Sequence, residues 1–245
     1  MKILHRFADY LFILSLLSPA LGQDHLQLDI GMAGMITGSS DLKYFTTSYN
    51  ALNKYFLVHP LDGMPVIAGW RWGVGYRHFE RFDYGLMVGE YQLGAEDQAR
   101  FSNGERRDFR LDIKSAFVEF EAGYFTGTFL INGLVTFYIN RQVRLETGYV
   151  SFDAVERPLD GVYRGEVDLS LDLGIAGGIL KYPFLIMAKF SYPVYSGSNS
   201  GALSNGISEF PGDYFAFVGK GEYPGMSSDL DGLKIFFTLG YLFQF

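Results

Sequence analysis

From Leu26 to Phe245 the chain repeatedly alternates apolar and polar side chains with a period of two. That is the pattern of strands with one face in lipid and the other in a polar space. In residues 26–36, Leu26, Leu28, Ile30 and Met32 alternate with Gln27, Asp29, Gly31 and Ala33. In residues 65–78, Val66, Ala68, Trp70, Trp72, Val74 and Tyr76 oppose Gly69, Arg71, Gly73, Gly75 and Arg77. Residues 84–94 group Tyr84, Leu86 and Val88, until Glu90 falls on the apolar side and signals either a bulge or the membrane boundary. From about Asp108 to Gly123, Leu111 and Ile113 oppose Asp112 and Lys114, with a parity slip expected near Ala116. Residues 128–140 set Phe129, Ile131, Val135, Phe137 and Ile139 against Asn132, Thr136, Tyr138 and Asn140. Residues 163–178 set Val167, Leu169, Leu171, Leu173 and Ile175 against Glu166, Asp168, Ser170, Asp172 and Gly174. Residues 184–195 place Phe184, Ile186, Ala188, Phe190 and Tyr192 toward lipid and Lys189 and Ser191 inward. The last segment puts Leu233, Ile235, Phe237, Leu239, Tyr241, Phe243 and Phe245 on one apolar face.

These segments number eight, and the connectors between them alternate: long (37–64), short (79–83), long (95–107), short (124–127), long (141–162), short (179–183) and long (196–232). Transmembrane barrels have short turns at one end and long loops at the other, and an even strand count brings both termini to the same end. The expected fold is therefore all-β, a transmembrane antiparallel up-and-down β-barrel of eight strands. The alternative is ten strands, with Val143 to Phe152 and Tyr214 to Gly219 as an added pair.

Composition agrees with this picture. The mean hydropathy is only +0.08 although 48% of residues are hydrophobic and 17% aromatic. No window approaches the roughly 20 apolar residues that a spanning helix needs. At the N-terminus Lys2, His5 and Arg6 precede an apolar run, Leu11 to Leu17, and then Ser18-Pro19-Ala20-Leu21-Gly22. That layout is a secretory signal peptide, with cleavage expected after Gly22, so residues 1–22 are read as the leader and 23–245 as the barrel. The net charge of -7 argues against nucleic acid as a partner. The chain has no Cys, which a closed barrel does not need as a staple.

An eight-stranded barrel is about wide enough for side chains to fill its interior. Asp29, Arg71, Asp112, Lys114, Asp168, Asp172, Lys189 and Lys234 all carry the inward parity and are expected to form a salt-bridged lumenal network. The inward glycines Gly31, Gly69, Gly73, Gly75 and Gly174 leave room for water on this reading, which keeps a small passive pore open as an alternative.

The chain resembles the small bacterial outer-membrane β-barrel proteins of the OmpA/OmpX type. The sharpest motif is the terminal strand L-K-I-F-F-T-L-G-Y-L-F-Q-F, in which Phe237, Leu239, Tyr241, Phe243 and the final Phe245 match the signal read by the barrel-assembly machinery. The resemblance implies residence in the outer membrane of a Gram-negative bacterium. It also implies outer-membrane lipid, lipopolysaccharide and the assembly machinery as partners, with an extracellular or envelope protein as a further one. No periplasmic peptidoglycan-binding domain is expected after the barrel.

Chemistry is less legible. The His-x-Ser pair of lipid A deacylases and the His, Asp, Ser set of the palmitoyltransferase barrels are not discernible. There is no His-Glu-x-x-His, no Cys ligand set and no phosphate-binding glycine loop, so no cofactor, metal or catalytic residue is assigned. His25, His59 and His78 are isolated, and His78 beside Glu80 reads as a solvated turn residue. Asp229 and Asp231 lack the further ligands of a calcium loop. Tyr44, Phe45, Tyr49, Tyr55 and Phe56 in loop one, and Phe210, Tyr214, Phe215, Phe217 and Tyr223 in loop four, either bind a partner, or pack on one another or sit at the headgroup level as barrel girdles do. The expectation is a structural or surface-interaction protein rather than an enzyme.

Overall fold

The computed structural model describes residues 23–38, 40–150, 161–163, 169–196 and 232–244. Its strands are β1 (Gln23–Thr37), β2 (Leu57–His59), β3 (Val66–Phe79), β4 (Phe82–Phe101), β5 (Arg106–Phe125), β6 (Phe129–Val150), β7 (Gly161–Tyr163), β8 (Leu169–Lys181), β9 (Phe184–Ser196) and β10 (Gly232–Gln244), with one helix, α1 (Ser40–Leu52). The two three-residue strands, β2 and β7, flank β4 and β6. The other eight close an antiparallel ring in the order β1-β3-β4-β5-β6-β8-β9-β10, sealed where β10 pairs with β1 from His25↔Gln244 to Thr37↔Gly232. Closure leaves no strand edge in the hydrocarbon, where an unpaired backbone group would cost several kcal/mol.

Burial follows the alternation. Ile30, Met32, Ile131, Ile175, Ile186 and Phe237 point outward and are exposed, while their chain neighbours face a filled interior. Such a continuous apolar wall is stable only against lipid. Phe82, Tyr84, Tyr124, Phe184, Tyr241 and Phe243 are exposed at the end that carries the termini, as an aromatic girdle is.

Three strands outrun the membrane. β4 and β5 have 20 residues and β6 has 22, against the roughly 9–11 a spanning strand needs. The Glu90 anomaly is the boundary and not a bulge: the β3–β4 and β4–β5 registers are unbroken there, and Glu90 meets Lys114 at 3.0 Å on the outer wall. Beyond it the outer face turns charged, with Arg110–Asp112 at 3.1 Å and Arg106–Asp108 at 2.8 Å. The polar stretch 95–107 is thus mostly strand rather than loop. Val143 to Val150 continues β6 and is not a ninth strand, while Tyr214 to Gly219 lies outside the described residues.

The parity slip lies on the other strand. β5 keeps one register of inward residues from Phe109 to Glu121, and the irregularity falls between Lys114 and Ala116 because β6 carries an extra residue opposite. There Asn140 adopts φ 55, and Ser115 Oγ donates to the Ile139 carbonyl at 3.0 Å. The bulge turns Arg141 and Val143 inward above it, where Asn132, Leu134, Thr136 and Tyr138 point inward below.

Loop one contains α1, an element the period-two reading passed over. Its start at Ser40-Asp41 uses residue types that favour helix N-termini, and Leu42, Phe45 and Tyr49 are buried at helical spacing. Phe45 and Tyr49 meet Phe109 edge-on at ring-centroid distances of 5.9 and 5.0 Å. Asn50 exchanges two hydrogen bonds with the backbone of Leu61 at 2.8 and 2.9 Å, which fastens the helix to the return segment.

The inward glycines do not leave water-filled space. A Cβ at Gly69 would run into the Gln92 carbonyl, at Gly174 into that of Phe190, and at Gly73 into the Met87 side chain. Glycine there lets neighbouring strands approach closely around a small barrel. We expect Gly174→Val to prevent the heat-modifiable, compact form from appearing on gels after refolding, whereas Gly104→Ala, with open space around it, retains that form with a modest loss from its φ of +89.

Candidate functional site

The interior is stacked in three levels. At the end bearing the termini, Phe79, Leu130, Leu134, Leu185, Met187 and Leu242 form an apolar layer. At the other end, Met35, Ile67, Tyr91, Phe109, Leu111 and Ile113 form a larger one beneath α1. A charged network whose members belong to different strands lies between them and reaches into the one at the termini, where Asp83 pairs with Phe79 and Glu121 with Leu134.

Arg77 of β3 donates through Nε to Asp83 Oδ1 at 2.9 Å and through Nη2 to Asp83 Oδ2 at 2.5 Å and Glu121 Oε2 at 3.0 Å. Asn132 of β6 donates to Asp83 at 2.5 Å. Lys189 of β9 bridges Glu119 at 2.7 Å and Glu121 at 2.5 Å, both on β5. Arg71 of β3 returns to Glu119 at 3.0 Å and lies over the rings of Phe117 and Phe236 at 4.2 and 4.6 Å. Thr136 donates to Glu119 at 3.1 Å. Above these, Lys234 of β10 meets Asp172 of β8 at 2.7 Å, and Ser191 of β9 donates to the same carboxylate at 3.0 Å.

Arg71, Arg77, Lys189 and Lys234 are at most 1% exposed. In a medium of low dielectric such groups persist only when paired and hydrogen-bonded, and this layer supplies both. Asp29 is loosely served: its Oδ1 accepts from Gln27 at 2.7 Å, but its nearest cation, Lys189, is 3.9 Å away and Oδ2 accepts no hydrogen bond.

Of the residues expected in the lumen, Asp29, Arg71, Asp172, Lys189 and Lys234 are there. Asp112 and Lys114 are not. Because β5 holds its register past Ala116, Leu111 and Ile113 are the inward residues and lie under α1, while Asp112 and Lys114 stand on the outer wall with Arg110 and Glu90. Asp168 lies outside the described residues. Glu119 and Glu121 share the parity of Leu111 and Ile113, whose apolar side chains mark that face of β5 as the lipid side, and neither is among the expected lumenal charges. Arg77 had the inward parity in the sequence, and Asp83 was assigned to a turn although it is the second residue of β4. In β10, Phe237, Leu239, Tyr241 and Phe243 face outward as expected, and Phe245 lies outside the described residues.

His78 is not a solvated turn residue. It shares the outer face with Asp24, Tyr76 and Tyr84 near the termini, is 4% exposed, and its Nδ1 lies 2.7 Å from Asp24 Oδ1. Tyr76 donates to the same oxygen at 2.5 Å, and the Tyr84 ring stacks on the imidazole at 4.7 Å. Among the described residues the contact at its Nε2 is with Glu80, at 3.8 Å, and not with a hydroxyl.

On the side away from the termini, a cleft of about 770 Å³ opens against the extended sheet, lined by Asp62, Glu96, Asp97, Asp108, Arg110 and Glu146 among others. Asp97 accepts from the backbone N–H of Gly63 at 2.8 Å and of Gln98 at 2.8 Å, tying the loop to β4. Asp112, hydrogen-bonded to Arg110, pushes that guanidinium further up from its ordinary value, so it stays charged. No group of three or more His, Cys, Asp or Glu suited to a metal ion occurs among the described residues.

The layer predicts unequal costs. Glu119→Gln or Glu121→Gln, each stranding buried cations, lowers unfolding free energy in lipid vesicles by roughly 3–5 kcal/mol. Asp29→Asn costs little or stabilises, and Glu90→Gln on the outer wall changes stability by less than about 1 kcal/mol. Urea titrations followed by gel mobility separate these outcomes.

No protein-family model matches the chain, and no curated protein does. Among solved structures it is similar to the attachment invasion locus protein Ail of Yersinia pestis, in complex with the heparin analogue sucrose octasulfate, at 12% identity and a TM-score of 0.40, covering 90% of this chain and 99% of that one. It is also similar to the outer membrane protease OmpT of Escherichia coli, at 10% identity and a TM-score of 0.39, covering 94% and 99%. By its own geometry, a closed ring of eight antiparallel strands with an apolar wall and a filled, charged interior, the chain is a small β-barrel of the outer-membrane type.

Proposed function

We propose that the protein is an integral barrel of a Gram-negative outer membrane with a sealed lumen. Its role is structural and surface-interactive, and the extended β4–β5–β6 sheet with loop one forms the contact surface. The observation that carries this reading is the charged layer, in which Lys189 closes the space between Glu119 and Glu121 from the opposite side of the ring. Apolar layers above and below exclude the continuous column of water that ion passage requires. The close strand contacts at Gly69 and Gly174 remove the space on which a pore would depend.

The chemistry left for function then lies outside the membrane. β4 continues past Glu90 to Phe101, roughly 35 Å of strand. Rigid elements that carry exposed loops are common bearers of binding. Lipopolysaccharide around the wall, the assembly machinery that would read the β10 signal, and an extracellular or envelope partner belong to the same proposal. Among the described residues no nucleophile faces the imidazole, so His78, Asp24 and Tyr76 lend catalysis no support.

Residues 23–245 refolded into planar bilayers should show no unitary current under an applied potential, and Lys234→Gln should leave the baseline unchanged. Stable current steps from the wild-type barrel, altered in size by Lys234→Gln, would overturn the reading and make the lumen a conduit.

A further inference from the structure

At the far end of the extended sheet, loop one folds back onto the β4–β5 hairpin and leaves three apolar side chains in water. Tyr55 is 89% exposed, Phe56 62% and Val58 71%. They are held in place by their backbone. The Phe56 carbonyl accepts from the Ser102 N–H at 2.8 Å, and Leu57 pairs with Phe101 and packs against the buried cluster. Val58, next along β2, therefore faces away from that cluster.

Cations stand beside this apolar tip. Lys54 precedes it in the chain and is exposed. His59 pairs with Arg100, and Arg100 lies directly opposite Arg106 in the hairpin, with Arg107 beside it opposite Ala99. Like charges in directly opposed positions destabilise a strand pair. Arg106 has Asp108 at 2.8 Å, but the Arg100 Nε donates to the neutral amide of Gln98 at 2.7 Å. Arg107 stacks over Phe101 at 4.7 Å and reaches the Tyr49 hydroxyl at 3.4 Å, so its charge is presented on a rigid base. Lys54, Arg100, Arg106 and Arg107 thus stand close to exposed aromatic and aliphatic groups, with Asp108 paired to Arg106 and Arg100 also bordering the acidic cleft.

We propose that this tip, Lys54, Tyr55, Phe56 and Val58 with Arg100 and Arg106, docks onto an anionic phospholipid surface apposed to the outside of the cell. The assignment rests on the reading of the extended sheet as a contact surface and names its partner. Apolar side chains beside cations match the two parts of such a surface. Phe56 and Val58 enter the boundary between headgroups and acyl chains, and the arginines meet phosphate oxygens.

The test uses the full barrel in nanodiscs of zwitterionic phosphatidylcholine, floated with vesicles of phosphatidylcholine alone or containing phosphatidylglycerol. The wild type should co-float with the anionic vesicles only, less well as salt rises. Arg100→Gln and Arg106→Gln should each weaken capture about fivefold, and Tyr55→Ser/Phe56→Ser/Val58→Ser should abolish it while the heat-modifiable form persists. Absence of wild-type capture, or capture untouched by both sets of changes, overturns the proposal. So does retention by dextran sulfate that depends on the arginines but not on Tyr55, Phe56 and Val58, which would make the partner a soluble polyanion. A barrel silent in planar bilayers that ignores these vesicles removes the lipid assignment alone, whereas a conducting barrel removes the contact-surface reading beneath it.

Discussion

Lys189 stands between Glu119 and Glu121 in the middle of the barrel, and the rest of the structure is organised around keeping those three charges together. A buried carboxylate is costly unless cations and hydrogen bonds meet it on several sides. Here they come from β3 through Arg71 and Arg77, from β6 through Asn132 and Thr136, and from β9 through Lys189. The contacts from β3 and β9 therefore act as cross-braces to β5, with which neither strand pairs directly. They also fix the register, because a one-residue slip of β5 would turn both glutamates into hydrocarbon. Apolar layers on either side keep water from competing for the ion pairs.

The same constraint explains which parts of the fold the sequence revealed. Strands that cross the membrane once with a single parity, such as β1, β3, β8 and β10, are legible because lipid on one side and charge on the other impose strict alternation. β5 and β6 were harder because their upper halves leave the membrane. There, inward residues such as Leu111 and Ile113 are apolar beneath α1, and outward residues such as Asp112 and Lys114 are charged in water, so polarity inverts without any change of parity. Hydrophobicity alone cannot separate that inversion from a bulge. The real bulge at Asn140 left only a left-handed residue type as its trace. α1 was hidden for a different reason: a helix inside a loop carries a period of 3.6, visible in Leu42, Phe45 and Tyr49 only when that period is sought.

The site was partly legible in the same way. Asp29, Arg71, Asp172, Lys189 and Lys234 were found as inward charges, but Glu119 and Glu121, which meet Arg71 and Lys189, were not, because they share a face with Leu111 and Ile113, whose apolar side chains read as lipid-facing. The network binds strands far apart in sequence, as Arg77 with Glu121 shows, and such pairing follows from ring closure rather than from any local motif. Among the described residues, the features that lie above the Glu90–Lys114 pair are the cleft beside Asp97, the α1 cap and the apolar tip near Arg100.

Since the chain contains no cysteine, single thiols can report on the sealed lumen without further engineering. The most direct measurement is the reaction of a charged, membrane-impermeant methanethiosulfonate with Ser191→Cys, in the charged layer, and with Ser102→Cys, on the hairpin turn, each folded in lipid vesicles. A filled interior predicts rapid labelling at position 102 and none at 191 until the barrel is unfolded. Comparable labelling of both thiols in the folded protein would contradict it, because reagent and water would then reach the layer that the account holds closed.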